Sequence, residues 1–167
     1  MLALKISDIR DFTNKLFIQE TFDAFWLCQA RISTYSLFSI DGRLDREFFD
    51  SDELELLDRT KRTHALWKEV KPHCFSIIRG KRAPRSFRIV FQLSSQKTTA
   101  AIKAAGFGVD VQTIHGLFLN LSYKNKMLLC TTGVSLDAFL PGKELEQLWD
   151  SMILDFFRQN QILFEQQ

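Results

Sequence analysis

Two stretches of the chain alternate apolar and polar residues, and this alternation constrains the fold more than any other feature. Starting from Phe87, every second residue up to Leu93 is apolar, and Arg88 and Gln92 lie between them. A similar two-residue period runs from Leu117 to Tyr123. Because successive side chains of a β-strand point to opposite faces, both stretches predict strands that are buried on one face only. The fold therefore needs a sheet with one covered face.

Further strands are predicted at residues 1–6, as two strands within 22–40, and at 127–132 after a turn at 124–126. Helices are predicted between them. Ser7 is predicted to be the N-cap of the first helix, and Ser94 or Ser95 to cap an alanine-rich helix that ends at Gly106. Two longer helices each carry a tryptophan on a broad apolar face. Their apolar positions are Leu66, Trp67, Val70, Cys74, Phe75, Ile77 and Ile78, and Leu145, Leu148, Trp149, Met152, Ile153, Phe156 and Phe157.

Both halves of the chain present strand, serine-capped helix, hairpin, glycine-marked connection and tryptophan-bearing helix in that order. Residues 42–45 with Phe48 also loosely parallel residues 133–137 with Phe139. The recurrence predicts an α+β fold with a duplicated β-α-β-β-α unit, a mostly antiparallel sheet and helices packed on one face. We expect a single domain over residues 1–167, with two repeats at about 1–80 and 86–167. The open face is predicted to carry Arg88, Val90, Gln92, Phe118, Asn120 and Ser122.

Charge is segregated along the chain. Residues 70–109 contain eight cations and no acid, whereas residues 41–58 contain eight acids and two arginines. The dense part of the basic stretch is a candidate nucleic-acid-binding segment, because arginine forks suit phosphate oxygens. The alternative is a solvated loop or an internal partner for the acidic segment, which is itself predicted to be a solvated loop. The candidate residues are Arg79, Lys81, Arg82, Arg85 and Arg88.

The 16 phenylalanines are an unusual excess for 167 residues. No run is long and apolar enough for a membrane span, which needs about 20 residues. No signal peptide is recognisable near Met1, so we expect a cytoplasmic protein without membrane contact. Much of the excess lies at helix or strand positions that point into the predicted core: Phe12, Phe75, Phe87, Phe91, Phe156 and Phe157. Four others do not fit the core, and they form the candidate interface: Phe48, Phe49, Phe107 and Phe118.

No motif for chemistry emerges from the polar residues. The three cysteines are far apart and have apolar neighbours, which predicts buried free thiols in a reducing compartment. The three histidines lack metal-ligand spacing, and phosphate loops, nucleophile elbows and paired-carboxylate signatures are missing from the sequence. We therefore expect no catalytic residues, no cofactor and no metal.

Several short stretches together match one known family. They are Leu4-Lys5-Ile6-Ser7-Asp8-Ile9, Asp41-Gly42, Phe48-Phe49-Asp50-Ser51, Pro72 with Cys74-Phe75, Gly80-Lys81 with Pro84, Cys130-Thr131-Thr132-Gly133, and Leu148-Trp149-Asp150. Through them the chain resembles a family of short bacterial proteins known only as a domain of unknown function, which implies a bacterial origin. In element order alone, it also resembles the paired repeats of DNA sliding-clamp domains and of the TATA-binding protein, which implies a DNA-facing surface.

Three functional hypotheses follow, and the third, an enzyme of unrecognised type, has no sequence motif in its favour. The first is a non-enzymatic protein-interaction or self-assembly module, with a homodimer or another protein as its partner. The alternative is a nucleic-acid-binding module that uses the basic stretch at residues 79–88. If that stretch lies against the acidic residues 41–58, its charges are paired internally. If it lies apart from them, it forms a free basic surface.

Overall fold

One antiparallel sheet organises the chain. The structure is a computed structural model that describes residues 1–137 and 142–167, so Phe139 and its proposed parallel with Phe48 lie outside the described residues. Seven strands are described: β1 (Ala3–Ile6), β2 (Trp26–Ser33), β3 (Leu37–Asp41), β4 (Ser86–Gln92), β5 (Ile114–Lys124), β6 (Met127–Leu136) and β7 (Phe164–Gln166). Their order across the sheet is β3-β2-β4-β5-β6-β1-β7, and every neighbouring pair is antiparallel. The predicted α+β class is confirmed.

Helices cover one face of this sheet. The described helices are α1 (Ile9–Phe17), α2 (Ser51–Thr60), α3 (Trp67–Ile78), α4 (Ser95–Ala105) and α5 (Lys143–Gln159). All except α2 contribute buried side chains to a single apolar core with the inward-facing strand residues. The helices in the described part of the chain are all too short or too polar to cross a lipid bilayer.

Phenylalanine rings dominate the centre of the core. Phe22 packs against Phe12, Phe91 and Phe156, with ring centroids 5.4 to 5.8 Å apart. Such tilted and stacked contacts stabilise a core beyond the burial of apolar area. The six phenylalanines predicted to point into the core lie in it or pack against it.

Three local predictions differ from the structure. Asp8, rather than Ser7, is the N-cap of α1, because its carboxylate accepts a hydrogen bond from the Asp11 N–H at 3.0 Å. The acidic segment is not simply a loop, since it contains α2, which starts with a reciprocal capping box between Asp50 and Glu53. The apolar residues Ile162, Leu163 and Phe164 of the tail predict helix packing, but the tail around Phe164 is the edge strand β7.

The recurring element order does not extend to strand pairing. β4 pairs with β5 of its own half, whereas β1 pairs with β6 and β7 of the other half and does not touch β2. The β-α-β-β-α order does occur twice, but the pairings of the first unit are not those of the second. Duplication of the unit, like the likeness to clamp and TATA-binding repeats, stays a prediction.

Three backbone segments meet where β2 begins. The Gly42 N–H donates to the Cys28 carbonyl at 3.0 Å, and the Ala65 N–H donates to the Gly42 carbonyl at 2.7 Å. The Leu27 N–H in turn donates to the Ala65 carbonyl at 2.8 Å. The register of β2 against β4 shifts between Leu27 and Gln29, so Cys28 occupies a β-bulge. This junction ties the segment that leaves β3 to the segment that enters α3.

Candidate functional site

The face of the sheet opposite the core carries polar and charged side chains. All six residues predicted for this face alternate with buried neighbours in β4 and β5 and are exposed or half-buried. In the register, Arg31 of β2 lies directly opposite Arg88 of β4, and Arg88 lies directly opposite Ser122 of β5. Directly opposite residues on neighbouring strands have Cβ atoms about 5 Å apart. The open face therefore holds two exposed arginines side by side.

More cations surround this pair at one end of the sheet. Ser33, Ser86 and Lys124 form the next row of the open face, so Lys124 lies beside the arginines. The loop before β4 enters at the same end, where the Arg85 N–H donates to the Ser33 carbonyl at 2.8 Å. We use the name "basic surface" for the exposed side chains of Arg31, Arg79, Lys81, Arg82, Arg85, Arg88 and Lys124.

The basic surface is not neutralised by the acidic segment. Among the described residues, none of its seven cations has a carboxylate within ion-pair distance. The acidic residues instead interact locally, as in the pairs Arg46–Asp58 at 2.9 Å and Arg59–Glu55 at 3.2 Å. Asp41 lies level with Val90, one row of the open face away from Arg31 and Arg88, and makes no ion pair with either. The absence of ion pairs among the described residues, rather than distance, leaves the basic surface without a counter-charge.

The four phenylalanines of the predicted interface lie on three different elements. Phe48 is 84% exposed in a short 3-10 turn and contacts Phe49 edge to face, with centroids 5.4 Å apart. Phe107 packs partly against the core. Phe118 is half-buried on the open face, where its ring fills the space a Cβ on Gly116 would need. No ring contact between described residues joins these three places.

A cysteine and a histidine lie near Asp41, and the pKa of each is shifted by its surroundings. Burial, followed by the nearby Asp41 carboxylate, raises the pKa of the Cys28 thiol to about 11. Burial and then Arg43 lower the pKa of His64, against an opposing effect of Asp41. A thiol with a raised pKa is a poor nucleophile at neutral pH. The described residues also contain no group of three or more His, Cys, Asp or Glu placed to hold a metal ion.

These thiol environments give the first prediction. Burial raises the pKa of Cys74 to about 12 and that of Cys130 further, and both side chains are buried. In native protein at pH 8 we expect a chromogenic disulfide reagent to react slowly with Cys28 and not with Cys74 or Cys130. In denaturant all three thiols should react quickly. In a Cys28→Ser variant the slow native phase should vanish; fast native reaction of two or three thiols would contradict the buried placement.

The same thiols also predict alkaline sensitivity. A group whose folded pKa lies above its unfolded value contributes stability below the unfolded pKa, and this contribution is lost as the pH rises. For Cys74 the window runs from about 9 to about 12. The free energy of unfolding should therefore decline above about pH 9, and the Cys74→Ala variant should show a shallower decline.

Comparison with known proteins identifies the family. Residues 15–165 match the family described as "Family of unknown function (DUF5721)". The chain belongs to this family. A search of the curated proteins found no match, and neither did a search of the solved structures. Membership in DUF5721 confirms the resemblance to a domain-of-unknown-function family, and it brings no activity with it.

Sequence reasoning missed two members of the basic surface. Arg31 and Lys124 lie far from residues 79–88 in the chain and join them only through the pairings of β2 and β5 with β4. A signal for Arg31 was present, because Ala30 and Ile32 flank it with buried side chains and so place it outward. Its position opposite Arg88 depends on the register, which no local pattern specifies.

Proposed function

We propose that this DUF5721 protein binds nucleic acid through its basic surface. The observation that carries the proposal is the direct opposition of Arg31 and Arg88 without a carboxylate partner among the described residues. Like charges directly opposite on neighbouring strands destabilise a sheet. Features that cost stability without a compensating contact are typical of functional sites. A polyanion would supply the missing counter-charge.

The surroundings of the arginine pair support the same proposal. Arginine guanidinium groups can contact phosphate oxygens in a bidentate manner, and the loop cations extend the charge beyond the sheet. The open face offers Ser122 beside Arg88 and Asn120 in the next row as hydrogen-bonding groups, and Phe118 one row further as an aromatic ring. Proteins that bind single strands combine backbone-tracking cations with aromatic stacking in this way.

The protein-interaction hypothesis, with an interface formed by the four phenylalanines, has less support, because these residues lie on separate elements.

We propose the bacterial cytoplasm as the location of the protein. The resemblance on which the family was recognised supports a bacterial origin. The three free cysteines, spaced along the chain, support a reducing compartment.

Binding to labelled single- and double-stranded DNA and RNA, followed by fluorescence anisotropy, tests the proposal. We expect binding at low salt to at least one of these ligands, with affinity falling steeply as salt rises. In the double variant Arg31→Gln/Arg88→Gln, two phosphate contacts are lost. The slope of log affinity against log salt should become shallower by about two, with little change in sequence preference.

Stability measured on the same variants separates loss of binding from loss of folding. Arg31→Gln removes the like-charge opposition, so its free energy of unfolding should rise by about 0.2–1 kcal/mol while its affinity falls. Arg158→Gln is the matched control, because Arg158 is exposed on α5 and pairs with Asp155 at 3.4 Å. Absence of binding to all four ligands at low salt, or equal weakening by Arg158→Gln, would overturn the proposal.

A further inference from the structure

The two edges of the sheet differ in how they are protected. β7, at one edge, has only three residues and carries the exposed charge of Glu165. β3, at the other edge, has five residues, Leu-Phe-Ser-Ile-Asp, without lysine, arginine, proline or a bulge. Short length, charges, proline and bulges are the usual means of preventing an edge strand from pairing with another chain. β3 lacks most of them.

Backbone hydrogen bonds show which groups of β3 are free. The Gly42 N–H bonds to the Cys28 carbonyl and the Thr34 N–H bonds to the Ser36 carbonyl, so even-numbered residues of β2 and β3 bond to each other. The N–H and C=O groups of Leu37, Ser39 and Asp41 therefore point away from β2. In the described residues no strand lies beyond β3 to receive them.

The side chains at this edge are unusually apolar for an exposed strand. Leu37 is 53% exposed, and Tyr35, in the turn before it, is 92% exposed and contacts Phe38 edge to face. Phe38 and Ile40 are half-buried on the core side of the sheet. A neighbouring strand would cover both.

We propose that two copies of this chain pair through β3 in an antiparallel, two-fold symmetric manner. Ser39 then lies opposite Ser39 of the second copy. Leu37 of each copy lies opposite Asp41 of the other, so every residue with free backbone groups has a partner. Each of these pairs exchanges two backbone hydrogen bonds. Phe38 and Ile40 then form the closely spaced pairs between them, so the apolar side chains match each other.

A second copy fits this edge better than an unrelated strand because the register is self-complementary. Like charges do not oppose each other, since each Asp41 carboxylate faces a leucine. Directly opposite side chains lie on the same face, so the open faces of the two copies become continuous. The row Arg88, Arg31, Ser39 then continues into the same row of the second copy in reverse order. The pairing does not depend on the proposed nucleic-acid binding.

Sedimentation equilibrium over a wide concentration range tests the pairing. Because the interface is one strand wide, we expect a monomer–dimer equilibrium with a dissociation constant in roughly the micromolar range. Ser39→Asp places two carboxylates opposite each other at the two-fold axis, about 5.5 Å apart between Cα atoms. The variant should raise the dissociation constant at least tenfold, and high salt should partly restore dimerisation.

Ser122→Asp is the matched control. Ser39 lies beside Arg31 and Ser122 lies beside Arg88, so both variants place one carboxylate next to an arginine of the open face. Only Ser39 is at an edge, so Ser122→Asp should leave the dissociation constant unchanged. Both variants should keep the wild-type circular dichroism spectrum and melting behaviour within a few degrees.

Three results would overturn the pairing. The first is a wild-type protein that remains monomeric up to about millimolar concentration, well above the range expected for so small an interface. The second is a dimer that Ser39→Asp does not weaken. The third is a dimer that is lost in Phe48→Ser and kept in Ser39→Asp, which would assign self-association to the exposed Phe48–Phe49 pair instead.

Discussion

Gly42→Ala is expected to destabilise the fold by at least about 3 kcal/mol, a large part of the 5–15 kcal/mol that holds a typical domain together. A Cβ atom at residue 42 would lie 1.8 Å from the Leu27 carbonyl oxygen and 2.6 Å from its carbon. Both are backbone atoms, so no side-chain rotation relieves the clash. Relief requires the strands to separate, which would weaken the bonds that join Gly42 to Cys28 and Ala65.

Gly133→Ala is the matched control, because Gly133 also lies in the sheet. There the nearest atom to an added Cβ is the Asn120 Nδ2 at 3.8 Å, an ordinary van der Waals distance. We expect its free energy of unfolding to remain within about 0.5 kcal/mol of wild type. Urea titrations of the three proteins provide the comparison. Equal stabilities for the two variants would contradict the close approach of Gly42 to Leu27.

Trp67→Ala should cost about 3–5 kcal/mol. The Trp67 side chain is fully buried, and its ring packs against Phe91 and Phe17 with centroids 5.2 and 5.9 Å away. Its indole N–H donates to the Leu16 carbonyl at 2.7 Å. Leu16 lies in the last turn of α1, where carbonyl groups lack a partner within the helix. Trp67 thus packs in the core and also satisfies a carbonyl group at the C-terminal end of α1.

Two further variants divide this loss into its parts. Trp67→Phe keeps much of the apolar volume but leaves the Leu16 carbonyl without its donor, which should cost about 1–3 kcal/mol. Leu56→Ala removes an apolar side chain that is 56% exposed on α2, and should cost less than about 0.5 kcal/mol. Chemical denaturation followed by far-UV circular dichroism measures all three. A Trp67→Ala variant as stable as Leu56→Ala would contradict the central position of this ring.

Local patterns predicted the elements in which burial is periodic. The alternation after Phe87 corresponds to β4, and the run from Leu117 corresponds to the middle of β5. Ser94 does cap α4 through the Lys97 N–H, and Gly106 ends that helix in the left-handed region at φ 70°. Each of these signals depends only on residues a few positions apart, so it can be read without knowledge of the fold.

The capping signal of α2 was missed because it lies among many acidic residues. The charges of residues 41–58 obscured α2, although Asp50 and Glu53 have the spacing of a capping box and Leu57 is buried. Here a pattern in composition was more conspicuous than the two residues that start the helix.

The candidate site depended on information that no short pattern contains. Residues 79–88 were recognised as basic, but only the structure shows that, among the described residues, they make no ion pair with the acidic segment. Arg31 and Arg88 lie opposite each other on β2 and β4, although they are 57 positions apart in the sequence. Strand order across the sheet, which places β1 beside β6, is similarly non-local and could not be read from element order.

The placement of β1 between β6 and β7 has a consequence during translation. As the chain leaves the ribosome, β1 emerges long before β6, because the Leu2 N–H and the Thr132 hydroxyl oxygen that accepts its hydrogen bond are 130 residues apart. Because translation adds about 5–20 residues per second, on the order of ten seconds pass between the synthesis of β1 and that of its partner strands. During that interval its apolar face has no partner in the sheet, so a nascent chain stalled before β6 should recruit holding chaperones to its first strand.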